Sequence, residues 1–333
     1  MQDLRWFRHR PVRHALRSLI AGFTCLLVLP LVARADTVLR VGHFPNITHA
    51  EALVAHALTR QGKGWFEQRL GPGVTVQWFV YGAGPAAMEA MIAKSIDLTF
   101  VGPNPALNVY AKSGGAEARV IGGAAEGGSA LVVQPDENLK SAADFRGKKI
   151  ATPQLGNTQD VSARSWLIAG GLHITQTGGD AQVIPTANPD QLLLFRQKQL
   201  DGVWTVEPWV SRLVGEAGGK VLVDEPHAIT TILVARADFL STQRDLVRKF
   251  VAAHRALIDW ITARPEEAQQ LVRSELKAET QVDIPPEQIA SSWQRIHWQP
   301  TVTLDELQQV VKSAQAVGFL NDVPDLGHLI VQP

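Results

Sequence analysis

The sequence contains almost no cysteine. The single cysteine among 333 residues, Cys25, lies in an apolar N-terminal stretch that we expect to be removed. The mature chain would then have none, which excludes disulfide bonds, thiol catalysis and cysteine-ligated metals. The fold must therefore be held together by packing alone.

The sequence also has no net charge. Basic and acidic residues number 32 each, and no basic run occurs after residue 35. Removal of residues 1–35 takes away six basic residues and one acidic residue, which leaves a net charge of −5. A mildly acidic chain argues against nucleic-acid binding. Any affinity for an anion must come from local groups rather than from the overall field.

Long apolar runs are missing, apart from one short run near the N-terminus. Five arginines lie within Met1–Arg17, the apolar run is Leu19–Val32, and Ala33-Arg34-Ala35 follows it. This order predicts a secretory signal peptide that is cleaved after Ala35. The alternative is an uncleaved anchor, although the run is short for a membrane span.

The chain does have a repeated local pattern, in which a short apolar strand leads into a loop of Gly, Pro, Asn or Thr that opens a helix. Its four copies are Val41–Thr48, Val80–Pro85, Phe100–Pro105 and Lys149–Gln159. A helix N-terminus has unpaired N–H groups and partial positive charge, and glycine lets a ligand approach the backbone. No evident nucleophile or metal cluster accompanies these loops. The pattern therefore predicts binding of a small anion rather than its conversion.

Strand and helix patterns alternate from Val38 to about Val223, which predicts α/β architecture with two mainly parallel sheets flanked by helices. After Thr230–Ala235 the pattern is only helical. The predicted organisation is a signal peptide over 1–35, one lobe from 36–126 plus 228–333, and a second lobe over 127–227. The chain would cross twice between the lobes, and the ligand cleft would lie between them.

Two helix starts carry capping patterns. Thr48 and Glu51 predict a capping box for a helix over His49–Arg60. Asn188, followed by a proline, predicts the N-cap of a later helix.

Four segments together resemble a known family. They are Phe44–Ala50, Val101–Pro105, Gly156–Asp160 and Val203–Trp209. They are similar to the nitrate, sulfonate and taurine group of ABC-transporter solute-binding proteins, in the order that this family has them. The resemblance implies a periplasmic, two-lobed fold of the type II binding-protein kind, which closes on its ligand and delivers it to a membrane permease. The connection Asp224–Thr230 looks shorter than is usual for the family.

The predicted ligand-binding residues come from the loops that follow the strands, except Trp204, which lies within a predicted strand. They are Phe44, Asn46, His49, Gly82, Ala83, Gly84, Gly102, Pro103, Asn104, Gly156, Asn157, Thr158, Gln159, Trp204 and Glu207.

The loop before Asp160 is the strongest of these candidates. The N–H groups of Asn157, Thr158 and Gln159, with the Thr158 hydroxyl, would hold ligand oxygens. The alternative is that Asn157 merely caps the helix. Arg164, one turn into that helix, would reach a sulfonate or else lie on the surface.

The aromatic and charged candidates also have two interpretations. Trp204, together with Trp209, would wall the apolar part of the ligand, and Glu207 would accept from a donor; alternatively, these residues form core around a Glu-Pro turn. His49 would contact the ligand or lie on the surface.

Three functions remain open from the sequence. The first is capture of a sulfonate-like anion for an ABC permease, by a monomer without cofactor, metal or nucleic acid. The second is the same scaffold binding a pyrimidine precursor of thiamine or another flat heterocycle. The third is an enzyme, which the signal peptide and the lack of cysteine oppose.

Overall fold

The computed structural model describes residues 36–333, so the predicted signal peptide lies outside the described residues. The strands are β1 (Thr37–His43), β2 (Val74–Val80), β3 (Leu98–Val101), β4 (Ala118–Gly127), β5 (Ser129–Val133), β6 (Lys149–Thr152), β7 (Gln182–Pro185), β8 (Gly202–Val206), β9 (Lys220–Glu225), β10 (Ile229–Arg236) and β11 (Ile296–Trp298). The helices are α1 (Ala50–Arg60), α2 (Glu67–Leu70), α3 (Gly84–Ile92), α4 (Pro103–Lys112), α5 (Thr158–Ala169), α6 (Asn188–Arg196), α7 (Trp209–Ala217), α8 (Ala237–Thr242), α9 (Arg244–Ala263), α10 (Pro265–Thr280), α11 (Pro286–Trp293) and α12 (Leu304–Ala316). None of the described helices is long and apolar enough to cross a membrane.

The strands form two sheets. The first has the order β11-β4-β10-β3-β1-β2 and the second the order β7-β6-β8-β5-β9. Both sheets are mixed rather than mainly parallel. β1 runs parallel to β2 and β3, but β10 is antiparallel to both of its neighbours, and β5 is antiparallel to β8 and β9. The difference arises because β5 and β10, which follow the two crossings between the sheets, enter their sheets against the direction of the parallel strands.

Apolar side chains on both faces of each sheet form the core. Along β10, Ile232 and Val234 join one cluster while Leu233 and Ala235 join the other, as the twofold repeat of a strand requires. Helices α1, α2 and α9–α11 cover one face of the first sheet, and α3, α4 and α12 cover the other. The second sheet lies between α5 on one face and α6 with α7 on the other.

The first crossing between the sheets depends on two consecutive glycines. Gly127 and Gly128 have φ values of 75° and 70°, a conformation that side chains disfavour. A Cβ at Gly127 would lie 2.5 Å from the carbonyl oxygen of Arg295. The Gly127 N–H donates to the carbonyl of Ala228 in the second crossing, at 2.9 Å. The two crossings therefore run side by side.

The predicted capping box at the start of α1 is wrong. A short 3-10 turn over Ile47–His49 precedes the helix, and no side chain caps it. Glu51 is instead fully buried, and neither carboxylate oxygen has a partner among the described residues. Burial raises the pKa of Glu51 to about 8.

Candidate functional site

A cavity of about 30 Å³ lies where the loops after β1, β2, β3, β6 and β7 meet, between the two sheets. This volume has room for about two or three water-sized groups. Its lining consists of Phe44, Asn46, Thr48, His49, Gly82, Ala83, Gly84, Gly102, Pro105, Pro153, Asn157, Thr158, Gln159, Asn188, Val206 and Thr230. Among these residues no lysine, arginine, aspartate or glutamate occurs.

Besides Asn157, three amide side chains in this lining have their oxygens occupied by the protein itself. The Asn46 oxygen accepts from Trp209 Nε1 at 3.1 Å. The Gln159 oxygen accepts from Asn157 Nδ2 at 3.2 Å, and the Asn188 oxygen accepts from the Thr205 hydroxyl at 3.3 Å. The NH₂ groups of all three have no acceptor within the part of the chain that the structure describes. The cavity is therefore bordered by uncommitted donors.

The start of α5 adds two backbone donors and a hydroxyl. The N–H groups of Thr158 and Gln159 lie in the first turn, where no earlier carbonyl of the helix can accept them. The Thr158 hydroxyl is buried and has no partner among residues 36–333. The Asn157 N–H is already used, because it donates to the carbonyl of Gln154 at 3.1 Å. Asn157 also caps α5 by accepting from the Asp160 N–H at 2.8 Å, so it both caps and lines the cavity.

His49 is buried beside the cavity as a neutral ring. Burial is the main cause that holds the pKa of His49 well below its usual range, and the neighbouring His43 lowers the pKa further. The negative charge of Glu279 opposes this effect. Its Nδ1 accepts a long hydrogen bond of 3.4 Å from the Phe44 N–H, which places the ring proton on Nε2. His49 is thus a neutral donor and not a cation.

The loops of the two sheets touch across the cavity. A Cβ at Gly102, which follows β3, would lie only 2.4 Å from the hydroxyl of Thr158 at the start of α5. On another side, Ile47 donates its N–H to the Glu207 carbonyl at 2.9 Å. These contacts close the cavity between the two sheets.

Glu207 and Trp204, predicted as contacts, do not line the cavity. The buried Glu207 carboxylate accepts from Ser211 N at 3.0 Å and from the Ser292 hydroxyl at 2.9 Å, and it pairs with Arg295 at 2.9 Å. Burial raises the pKa of Glu207, although these partners oppose the rise. Trp204 is a core side chain, and its indole donates to Glu225 at 3.0 Å. Both residues therefore follow the structural alternative.

Three further candidates and Arg164 also lie outside the lining. Pro103 and Asn104 form the first turn of α4, and both are buried. Gly156 has a φ of 75° and donates its N–H to Asp160. Arg164 is buried and engaged by Asp160 at 3.1 Å and by the carbonyls of Thr175 and Val183, so it does not offer a charge to the cavity.

An apolar groove of about 330 Å³ adjoins the cavity and shares Asn46, Gly82 and Asn188 with it. Its other lining residues are Pro45, Ala187, Pro189, Leu192, Pro208, Trp209, Arg212, Leu276, Thr280, Val282 and Ile284. The Arg212 guanidinium lies over the Trp209 ring, 4.7 Å from its centroid, and pairs with Glu216 at 2.7 Å. Trp209, rather than Trp204, thus borders the space next to the polar cavity.

Comparison with known proteins identifies the family. The model of the NMT1-like family matches residues 33–276. The chain belongs to the NMT1-like family. A relative from Brucella abortus, named as a binding protein, is 25% identical over an alignment of 320 residues, and the match covers 93% of this chain and 91% of the relative. An Escherichia coli protein, named for binding aliphatic sulfonates, is 26% identical over 79% of this chain and 76% of its own length.

A solved structure shows the fold of this NMT1-like chain. The alkanesulfonate-binding protein of Xanthomonas axonopodis pv. citri, bound to MOPS, superposes with a TM-score of 0.72 at 19% identity. The match covers 90% of this chain and 100% of that one. The α/β binding-protein fold predicted from the sequence is confirmed, as is the resemblance to the sulfonate-binding group.

Several lining residues of this NMT1-like protein were not predicted as ligand-binding residues from the sequence. They are Thr48, Pro105, Pro153, Asn188, Val206 and Thr230. The position of Asn188, after β7 and before a proline, was compatible with a place in the cavity lining. The same position also predicts a helix cap. The cap in the structure is Ala187, which leaves the Asn188 side chain for the cavity.

Proposed function

We propose that this protein is the periplasmic solute-binding component of an ABC importer, and that it captures a small organic sulfonate or a related sulfur oxyanion and delivers it to a membrane permease. The observation that carries the proposal is the set of uncommitted donors around a cavity without a carboxylate. An anion can accept hydrogen bonds from all of these donors, whereas a cation, or a ligand that offers only donors, would leave them unpaired.

The apolar groove supports an organic anion over an inorganic one. A sulfonate head has three oxygens, which suits a cavity lined by neutral donors with room for about two or three water-sized groups. The carbon substituent would extend past Asn46 and Asn188 into the groove, where Leu192, Trp209 and Ile284 remove it from water. Nitrate or sulfate would leave this groove unused.

The relatives support the same role. Their names describe binding proteins rather than enzymes, and two of them name sulfonates as the ligand. The signal peptide expected over 1–35 agrees with transport to the periplasm. A flat heterocycle is the competing ligand, since Trp209 could stack on a ring.

A ligand panel tests the proposal. The thermal midpoint of the purified protein is measured with alkanesulfonates of two to eight carbons, taurine, a sulfate ester, nitrate, sulfate and an aminopyrimidine. We expect the alkanesulfonates to raise the midpoint, with a larger rise for longer chains that fill the groove. Stabilisation by the aminopyrimidine, without any by the sulfonates, would contradict the proposal.

A further inference from the structure

A second cluster of polar groups lies outside the anion cavity, where β1, α1 and α10 meet. His43 is the last residue of β1, His56 lies in α1, and Glu275 and Glu279 are one turn apart in α10. His43 Nε2 is 2.6 Å from Glu279 Oε1. His56 Nδ1 is 2.9 Å from both Glu275 Oε1 and Glu279 Oε1.

The donor atoms converge on one point. Those of His43, His56 and Glu279 all lie within 4.8 Å of one another. Two imidazole nitrogens and carboxylate oxygens form a set that zinc accepts, with bonds of about 2.0–2.2 Å. A tetrahedral site with such bonds has ligand atoms roughly 3.3 Å apart, so small side-chain shifts would admit the ion.

Two atoms of the cluster lack a partner among the described residues. Glu279 Oε2 is buried and has no hydrogen-bond partner among the described residues, and the same holds for His43 Nδ1. The side chains of Glu275 and Glu279 are 2% and 1% exposed. A buried carboxylate oxygen without a donor is costly. Arg60, 2.8 Å from Glu275, supplies one positive charge, but it contacts the other carboxylate.

We propose that His43, His56 and Glu279 bind a divalent transition metal, with zinc as the best match and with the Glu275 carboxylate beside the site. Two carboxylates neutralise the charge of the ion, and Glu279 Oε2 gains the partner that it lacks. His56, whose side chain is 12% exposed, gives the ion its route from solvent. The metal would join the first strand and α1 to α10, from the C-terminal part of the chain, and would act structurally.

The experiment is a calorimetric titration of the full chain, purified without a histidine tag and stripped with EDTA, using zinc chloride. We expect one zinc per chain with micromolar or tighter affinity. Glu279→Gln and His56→Gln should each weaken binding by about tenfold or more, because each removes a ligand. His173→Gln, which alters an exposed histidine, is the matched control and should bind as the unaltered chain does.

A cobalt titration of the unaltered chain gives a result that does not depend on folded variants. Four-coordinate cobalt absorbs visible light strongly, and six-coordinate cobalt absorbs weakly. Strong absorption at one equivalent, displaced by zinc, supports the site. Absence of zinc binding by the unaltered chain, or equal binding by Glu279→Gln and His56→Gln, would overturn the proposal.

Discussion

The side-chain amides of the cavity are oriented by the protein before any ligand arrives. Trp209, Asn157 and Thr205 each donate to one amide oxygen, so the NH₂ groups of Asn46, Gln159 and Asn188 have no acceptor among residues 36–333. This arrangement explains how a cavity without a cation could hold an anion. Neutral donors in fixed positions lose little freedom on binding.

Changing Asn188 to Asp tests this directly. The new carboxylate of the variant keeps an oxygen that can accept from Thr205, but the NH₂ donor is replaced by a negatively charged carboxylate oxygen. A lost hydrogen bond to a charged ligand costs about 1.5–3 kcal/mol, so sulfonate affinity should fall by about tenfold to a hundredfold or more. Calorimetric titration measures the change. Asn321→Asp adds the same charge on the exposed surface and should leave affinity unchanged.

Glu51 makes a separate prediction about pH. Burial raises its pKa from the ordinary 4.5 to about 8, so the folded chain holds a proton that the unfolded chain releases. The stability linked to this group is fully present below pH 4.5 and is lost as the pH rises through about 8. Glu51→Gln removes this loss and should be more stable than the unaltered chain at pH 9 by a few kcal/mol, since one pKa unit corresponds to about 1.4 kcal/mol.

Urea unfolding at pH 5, 7 and 9 measures this effect. Glu267→Gln, at an exposed first-turn position of α10, controls for the loss of a helix-start charge. A stability difference between Glu51→Gln and the unaltered chain that stays constant with pH would contradict the prediction.

At the residue level, the sequence predicted the loops better than the direction of single side chains. Phe44, Asn46 and Thr158 follow strands and do line the cavity. Glu207 also follows a strand and Trp204 lies within β8, yet Glu207 points into the contact with Ser292 and Arg295 and Trp204 points into the core. The local sequence pattern does not predict the direction of a side chain at a turn, because that direction depends on packing against helices that are distant in the sequence.

At the level of elements, the cavity depends on the close approach of the starts of α4 and α5. Gly102 permits this approach because it has no Cβ to meet Thr158. Most strand and helix positions near the site follow from sequence periodicity. The short β11, α2 and α8 do not, because three to six residues give too little periodicity to recognise.

Gly102→Ala should weaken sulfonate binding while leaving the ligand-free protein stable. The new Cβ would lie 2.4 Å from the Thr158 hydroxyl in the closed arrangement of this structure, and we expect the ligand-free protein to relieve this contact by opening. We expect the dissociation constant to rise by about tenfold, because closure would cost more by about 1.4 kcal/mol. Gly178→Ala is the control, since its Cβ would meet nothing within 4 Å and its φ is ordinary. If the ligand-free Gly102→Ala variant lost as much unfolding free energy as it lost binding free energy, this explanation would be contradicted.

At the scale of the whole molecule, two sheets are joined by two adjacent crossings, at Gly127–Gly128 and near Ala228. A ligand that contacts loops from both sheets favours the arrangement in which they meet. Of the four strand–loop–helix copies, three precede the first crossing and one follows it. The His43–Glu279 pair, 236 residues apart, could not be predicted, because no local pattern joins such distant residues.

Solution scattering tests closure. We expect the radius of gyration to decrease when a saturating alkanesulfonate is added. Asn188→Asp, which should bind poorly, should show no decrease at the same concentration. An unchanged radius in the unaltered protein, despite binding measured by calorimetry, would contradict ligand-driven closure.

The most direct test of the binding function is the identity of the ligand that the protein carries. The protein is purified natively from a periplasmic extract, its mass is measured intact, and the small molecule released on denaturation is identified by mass spectrometry. We predict one sulfur-containing oxyanion with an organic substituent per chain. Release of a pyrimidine or another uncharged heterocycle without a sulfonate would contradict the proposed anion site.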